Sequence, residues 1–274
     1  MRDFLQAMAK SSTERAAEAR SREPEAALRR RALAAAPAPP LRLHSAGFDL
    51  IAEIKHRSPS AGRLALRSTP ADIAARAAAY VRGGAAAVSV LTEPDAFGGA
   101  LEHLEAATRD LPVPALRKDF LVDPYQVIEA RAAGAGGVLL VLRILNDARA
   151  RELIEAASEL GLFVLLEAFD EDDLHRAAAL VPADAPGTIL FGVNARDLAD
   201  LTNDDARHAR LAQAIPPGRP RVAESGIADA ADVRRAVRDG YGLALMGGAL
   251  MRAADPAAMV AELVAAGRAE AGAS

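Results

Sequence analysis

The sequence predicts an α/β chain folded as a (β/α)8 TIM barrel with an N-terminal helical extension, and three observations carry that expectation. Eight short β-type runs alternate with eight amphipathic helical stretches, with no hairpin signal between them, which favours an all-parallel sheet. The length, 274 residues, suits a fold that typically takes about 250. Several strands that should be wholly apolar end in a charged or amide residue, and the C-terminal strand ends are where barrel enzymes build their sites. The same alternation also fits an open, doubly wound parallel sheet, which stays the structural rival at this point.

Along the chain, residues 2–35 read as helix: Phe4, Leu5 and Met8 recur at helical spacing, and the pattern continues from Ala16 to Leu33 around Pro24. A proline-rich link at 37–40 ends it. Strands are expected at 48–55, 86–92, 113–118, 136–142, 162–168, 188–194, 221–225 and 242–247. Helices are expected near 70–82, 99–109, 124–133, 147–160, 170–180, 203–213, 229–238 and 255–267. Asp123-Pro124, Asp147, Asp170, Asp229 and Asp255-Pro256 supply capping signals, and Gly134 and Gly161 close helices. The expected organisation is one domain over 1–274, with an extension over 1–40 and the barrel over 47–268.

Composition narrows the function. The chain is 51 % apolar and 26 % charged, enough for a large core and against disorder. A net charge of −4 offers no bulk attraction to nucleic acid or to an acidic membrane. With no cysteine, disulfides, thiolate catalysis and cysteine-ligated zinc are excluded, and a reducing cytoplasm is the expected location. His44, His56, His103, His175 and His208 form no ligand pair at helical spacing. No apolar run reaches the roughly 18–20 residues needed to span a bilayer. Asp3, Glu14 and Glu18, with no apolar signal core, make the start read as mature protein rather than as a transit peptide.

The first strand finishes Ile51-Ala52-Glu53-Ile54-Lys55. With a two-residue period, Glu53 and Lys55 share one face and Ala52 and Ile54 the other. The apolar pair should face the helices, so the charged pair should face the barrel mouth. The third strand ends in Lys118, the fifth in Glu167, the sixth in Asn194 and the seventh in Glu224. Each alone reads as a solvated rim group, and Asn194 as a residue shaping the turn into Arg196-Asp197. Together the two lysines and three carboxylates form a set whose members tune one another's pKa, as general acid–base chemistry requires.

Glu224-Ser225-Gly226 and Met246-Gly247-Gly248 follow the seventh and eighth strands, where barrels often cradle a phosphate with backbone N–H groups. Plain βα turns would look the same. Ser58-Pro59-Ser60-Ala61-Gly62 would add hydroxyl donors to the same mouth. Gly134-Ala135-Gly136-Gly137 precedes a strand, so it belongs to the bottom face and is no nucleotide fingerprint.

The segments IAEIKHRSPSAG, SVLTEPDAFGG, PALRKDFLVDPYQVIEARAAGA, LLEAFDEDDL, FGVNARDL, VAESGI and GGALMRAADP resemble the indole-3-glycerol-phosphate synthase family. They stand in the family's order over nearly the whole chain, helical extension included. The resemblance implies a carboxy-lyase of tryptophan biosynthesis. Its substrate would be 1-(2-carboxyphenylamino)-1-deoxyribulose 5-phosphate, which loses CO2 and water as the indole ring closes. It makes Lys118 the general acid at the ketone oxygen and Glu167 the acid–base partner for dehydration, with Lys55 and Glu53 assisting. Asn194 and Glu224 would orient hydroxyls and the ring nitrogen, with Arg196 among the substrate-binding positions. Ser225, Gly226, Gly247 and Gly248 would hold the phosphate, Ser58 nearby, and Phe97 and Phe120 would pack on the anthranilate ring. No cofactor or metal is implied. The partner expected is the phosphorylated substrate. Neither nucleic acid nor membrane is expected, and the chain should be a monomer open to weak association with other tryptophan-pathway enzymes.

Three positions depart from the family's usual pattern. Ala61 and Asp95 stand where lysine is common, and Gly248 where serine is usual. Each lost hydrogen bond should cost about 1–3 kcal/mol of binding, weakening affinity and not chemistry. Two other readings stay open. One is a different phosphate-binding barrel enzyme; phosphoribosylanthranilate isomerase is nearest, but its usual cysteine base is absent. The other is a non-catalytic barrel that binds a phosphorylated ligand or a pathway partner.

Overall fold

The computed structural model describes residues 2–45, 47–58, 62–64, 69–181, 188–196, 202, 204 and 206–273. Eight parallel strands close a barrel: β1 (Asp49–Ile54), β4 (Ala87–Leu91), β5 (Ala115–Lys118), β6 (Gly137–Val141), β7 (Phe163–Ala168), β8 (Ile189–Asn194), β9 (Arg221–Glu224) and β10 (Leu243–Met246). Each pairs with its neighbours in sequence, and β10 pairs with β1, so the sheet has no edge. The open-sheet rival is therefore excluded. All eight expected strands are present, each within two residues of its expected ends.

The period-two logic sorts the core into two layers. Ile51, Ala87, Leu116, Leu139, Leu165, Leu190, Val222 and Leu243, one per strand, meet inside the barrel. Their alternates, among them Ala52, Ile54, Val88, Val90, Val138, Leu140, Val164 and Leu166, belong to the layer beneath the helices. Ala52 and Ile54 thus face outward, and Glu53 is left on the inner face.

The outer ring comprises α3 (Pro70–Arg82), α4 (Leu101–Thr108), α5 (Pro124–Ala132), α6 (Asp147–Glu159), α7 (Glu171–Leu180), α8 (Arg207–Leu211), α9 (Ala230–Arg238) and α11 (Pro256–Ala271). Asp123, Asp170, Asp229 and Asp255 cap α5, α7, α9 and α11 by accepting backbone N–H groups of the first turn. At α6 the cap is Asn146, whose side chain accepts from the Arg149 N–H; Asp147 is the first helical residue. There its charge still favours the positive end of the helix.

Four other expectations change. The 2–35 helix is two, α1 (Arg2–Arg22) and α2 (Glu25–Ala34), broken at Pro24 (φ −59°, ψ 142°). Proline has no N–H to give, and its ring clashes with the preceding turn. After β1 a small antiparallel hairpin forms, β2 (Arg57–Ser58) with β3 (Gly62–Arg63), Gly62 taking φ +66°. The helix expected over 203–213 is shorter, α8 followed by a 3-10 turn at Ala212–Ala214. A short extra helix, α10 (Gly248–Arg252), follows β10 where only a turn was expected.

The extension walls the barrel mouth. Leu5 and Met8 of α1 join the inner cluster with Phe120 and Phe169, and Phe4 packs edge-on against Phe120 at 6.1 Å. Arg15 donates two hydrogen bonds to Asp119, and Arg20 donates to Asp123.

Candidate active site

A cavity of about 490 Å³ opens at the C-terminal ends of the strands. Its floor is the inner face of the barrel (Leu91, Leu139, Val141 and Leu245). Above the floor stand the strand-end polar groups. Lys118, the last residue of β5, reaches across the barrel: its Nζ lies 2.9 Å from Glu167 Oε2 and 3.1 Å from Glu224 Oε2. Lys55 Nζ lies 2.6 Å from Glu53 Oε1. Asn194 Oδ1 accepts the Arg196 N–H at 3.0 Å, so it shapes the turn and lines the cavity at once. Buried His208 braces the same corner, its Nε2 within 3.2 Å of the Val193 and Glu224 carbonyl oxygens.

Burial sets the electrostatics. It would lower the Lys118 pKa, but Glu167, Glu224 and Glu53 outweigh it and hold the ammonium above the ordinary lysine value. Burial pushes Glu224 up to about 8; Glu167 adds to this and Lys118 opposes it. Burial also acts to raise Glu53, yet Lys55, Lys118 and Arg196 prevail and hold it below the usual carboxylate value. Burial thus favours a Glu224 carboxyl that keeps its proton beside the Lys118 ammonium.

The ends of the cavity differ. On the β4–β5 side, Phe97 and Phe120 stand with ring centroids 6.3 Å apart and Phe4 of α1 alongside. Arg57 ties this side to the hairpin: its backbone N–H donates to Phe97 O and its guanidinium to Asp95 O and Ala96 O. On the β9–β10 side the wall is Ser225, Gly226, Gly247 and Gly248, with Arg235 and Arg252 beside them. Ser225 and Gly226 both take left-handed backbone, φ 63° and 67°. A non-glycine there is uncommon, and such outliers gather at functional sites. Gly247 is bare for a different reason, since its φ is −132°: a Cβ would lie 2.2 Å from Glu53 Oε1. At Gly248 a Cβ would meet nothing nearer than Arg252 Nη1, at 3.5 Å.

The fold thus brings Glu53, Lys55, Phe97, Lys118, Phe120, Glu167, Asn194, Arg196, Glu224, Ser225, Gly226, Gly247 and Gly248 to one cavity. Ser58 lies in β2, and its side chain, like Ala61, falls outside the described residues. Asp95 does not line the cavity; it is exposed and accepts the Ser11 hydroxyl of α1 at 2.8 Å. Sequence reasoning missed Phe4, Asp119, Asp232, Arg235 and Arg252 among the lining residues. Arg252 was discoverable only by foreseeing α10, which carries it one turn from Gly248. Among the described residues, no group of three or more His, Asp or Glu is arranged to hold a metal ion.

The family model for indole-3-glycerol phosphate synthase matches residues 5–263. Indole-3-glycerol phosphate synthase from a Nocardioides species is 49 % identical over 212 residues, covering 77 % of this chain and 78 % of its own. The one from a Parafrankia species is 46 % identical over 225 residues (82 % and 81 %), and that of Mycobacterium avium 41 % over 241 residues (86 % and 85 %). Among solved structures, 3-hexulose-6-phosphate synthase from Salmonella typhimurium superposes with a TM-score of 0.58 at 16 % identity, covering 80 % of this chain and 98 % of that one. That likeness speaks to the barrel alone. The chain belongs to the indole-3-glycerol phosphate synthase family, the lyases that close the indole ring in tryptophan biosynthesis.

Proposed function

We propose that ring closure is carried out by the strand-end triad, with Lys118 as the general acid. The substrate's phosphate would sit among Ser225, Gly226, Gly247 and Gly248, with Ser58 nearby, and its anthranilate ring between Phe97 and Phe120. The ring carbon bearing the carboxylate attacks the ketone carbon while Lys118 gives its proton to the ketone oxygen. Loss of CO2 restores the aromatic ring. The new hydroxyl then leaves as water with a proton given by the Lys55 ammonium, while Glu167 takes a proton from the carbon beside the ring nitrogen. Lys55 and Glu53 assist, and Asn194, Arg196 and Glu224 orient the substrate's hydroxyls and nitrogen. The observation that carries this reading is Lys118 Nζ held within 3.1 Å of both Glu167 and Glu224 at the mouth of the barrel. That contact keeps the lysine in its acid form and within proton-transfer distance of a base.

The test is direct: supply the anthranilate-derived deoxyribulose phosphate and follow indole fluorescence. Turnover should appear, and Lys118→Ala should lower kcat by about 10²–10⁴-fold, the usual weight of a general acid. Equal rates for the two proteins would sink the assignment.

The same reading takes the chain as one domain, with 1–40 as extension and 47–268 as barrel. It also takes it as a cytoplasmic monomer open to weak association with other enzymes of the pathway. Supporting it are the net charge of −4 and the absence of cysteine. Among the described residues, no helix is long and apolar enough to cross a membrane. Sedimentation equilibrium reads the monomer; a stable dimer at micromolar concentration would correct it.

A further inference from the structure

We infer that Gly192 is a positioning residue for ring closure: by carrying no side chain, it leaves the niche in which the Glu224 carboxyl lies beside Lys118. The inference rests on the reading above, in which Glu224 belongs to the reacting site.

Gly192 sits in the middle of β8, a strand buried along its whole length. Glycine is a poor choice for such a position, because it packs nothing and loses the most backbone entropy on folding. Its backbone does not call for glycine, since Gly192 is not among the residues with positive φ. What calls for it is the neighbour. A Cβ at Gly192 would lie 2.2 Å from Glu224 Oε1 and 3.3 Å from its Cδ. Leu165 Cδ1 would be 3.0 Å away, but that is a methyl end able to turn aside.

The register explains the crowding. Gly192 is opposite Glu167 on β7 and Val222 on β9, and Asn194 is opposite Glu224. The Glu224 carboxyl therefore folds back over the strand position one step below its own partner. Its Oε2 meets Lys118, while its Oε1 is buried and lies over the bare Gly192 backbone. A side chain at 192 would drive the carboxyl off by most of an ångström. The 3.1 Å contact to Lys118 has little such slack, since proton transfer and charge-assisted hydrogen bonds weaken steeply beyond about 3.2 Å. Burial in the same niche favours a carboxyl that keeps its proton near neutral pH.

The test is a double-mutant cycle in the full chain, with Gly192→Ala, Glu224→Ala and the two combined. Each is read by steady-state kinetics and by thermal unfolding. Gly192→Ala should lower kcat by about 10–100-fold with KM within about threefold, because it displaces a group at the reacting centre. In the Glu224→Ala background the same substitution should cost little in kcat or Tm, since only the movable Leu165 methyl remains close to the new Cβ. If Gly192→Ala alone does not fold but the double variant does, the niche is supported by stability alone. If Gly192→Ala lowers Tm equally in both backgrounds, or leaves kcat within twofold of the parent, the inference is overturned and the glycine serves packing only. If Glu224→Ala itself keeps the parental kcat, the site reading fails instead, and thermal coupling between the two positions tells that failure apart.

Discussion

Lys118 shows how much a single side chain depends on its neighbours. On a free strand end it would be a flexible surface cation; here it is mostly buried, held by the Glu167 and Glu224 side chains and kept protonated. The departures from the family pattern also resolve at this scale. Asp95 is turned toward α1 and Ala61 lies outside the described residues, so among the described departures the weakened binding expected from the sequence rests on Gly248. The space above Gly248 is open, with its nearest neighbour the mobile end of Arg252 at 3.5 Å. Gly248→Ser should therefore fit without strain and restore a hydroxyl donor worth about 0.5–1.5 kcal/mol. We expect KM for the phosphorylated substrate to fall by up to about tenfold with kcat unchanged; an unchanged or higher KM refutes this.

At the scale of elements, α1 is fastened to the strand end that carries Lys118. Arg15 holds Asp119 through both carboxylate oxygens (3.0 and 2.9 Å), and Thr92 and the Phe120 N–H complete the carboxylate's shell. Burial acts to raise the Asp119 pKa, but Arg15 and Arg117 hold it below the ordinary value. Its contribution is thus present above the unfolded aspartate pKa of about 3.9 and lost as pH falls through the lower folded value. Arg15→Ala would leave a buried carboxylate with Arg117 at 3.6 Å; denaturant unfolding near neutral pH should show a loss of about 1–3 kcal/mol. A change below about 0.5 kcal/mol would mean that the pair is neutral to stability. A second joint links the β1 end to α4, where the His56 and His103 rings meet edge-on at 4.4 Å. Burial, and then His103, push His56 down to about 4. Between that value and the unfolded value of about 6.5 the unfolded chain binds a proton that the folded ring refuses. Stability should fall as pH drops through this window, and His56→Gln should flatten the fall in Tm between about pH 7 and 5. An identical slope in the two proteins would assign the effect to other groups.

For the whole molecule, barrel closure decides what faces what. The aromatic side follows β4 and β5, the glycine side follows β9 and β10, and the closed order sets them across the mouth from each other with the charged triad between. A ligand with an aromatic acid at one end and a phosphate at the other spans that layout. Two half-ligands should then bind together: anthranilate and inorganic phosphate should each compete with substrate, yet not with each other. Intersecting lines in a double-inhibition plot would bear this out, and parallel lines would show a shared subsite.

Much of this was legible in the sequence because its cause is local. The strand positions, the inward face of Glu53 and four of the five aspartate caps follow from side-chain period and from hydrogen bonding within one turn. Pro24 breaking the extension follows from proline's own stereochemistry, although the apolar pattern running past it hid the break. Residue types at strand ends also sufficed to nominate Lys118, Glu167, Asn194 and Glu224. Three matters needed the tertiary structure: which carboxylates share the Lys118 ammonium, that Asp95 belongs to the α1 contact, and that Gly192 and Gly247 are bare because Glu224 and Glu53 lie against them. These are distances between strands and helices far apart in the chain. Closure of the barrel and the stagger of its strands set them, and no period read along one strand contains them.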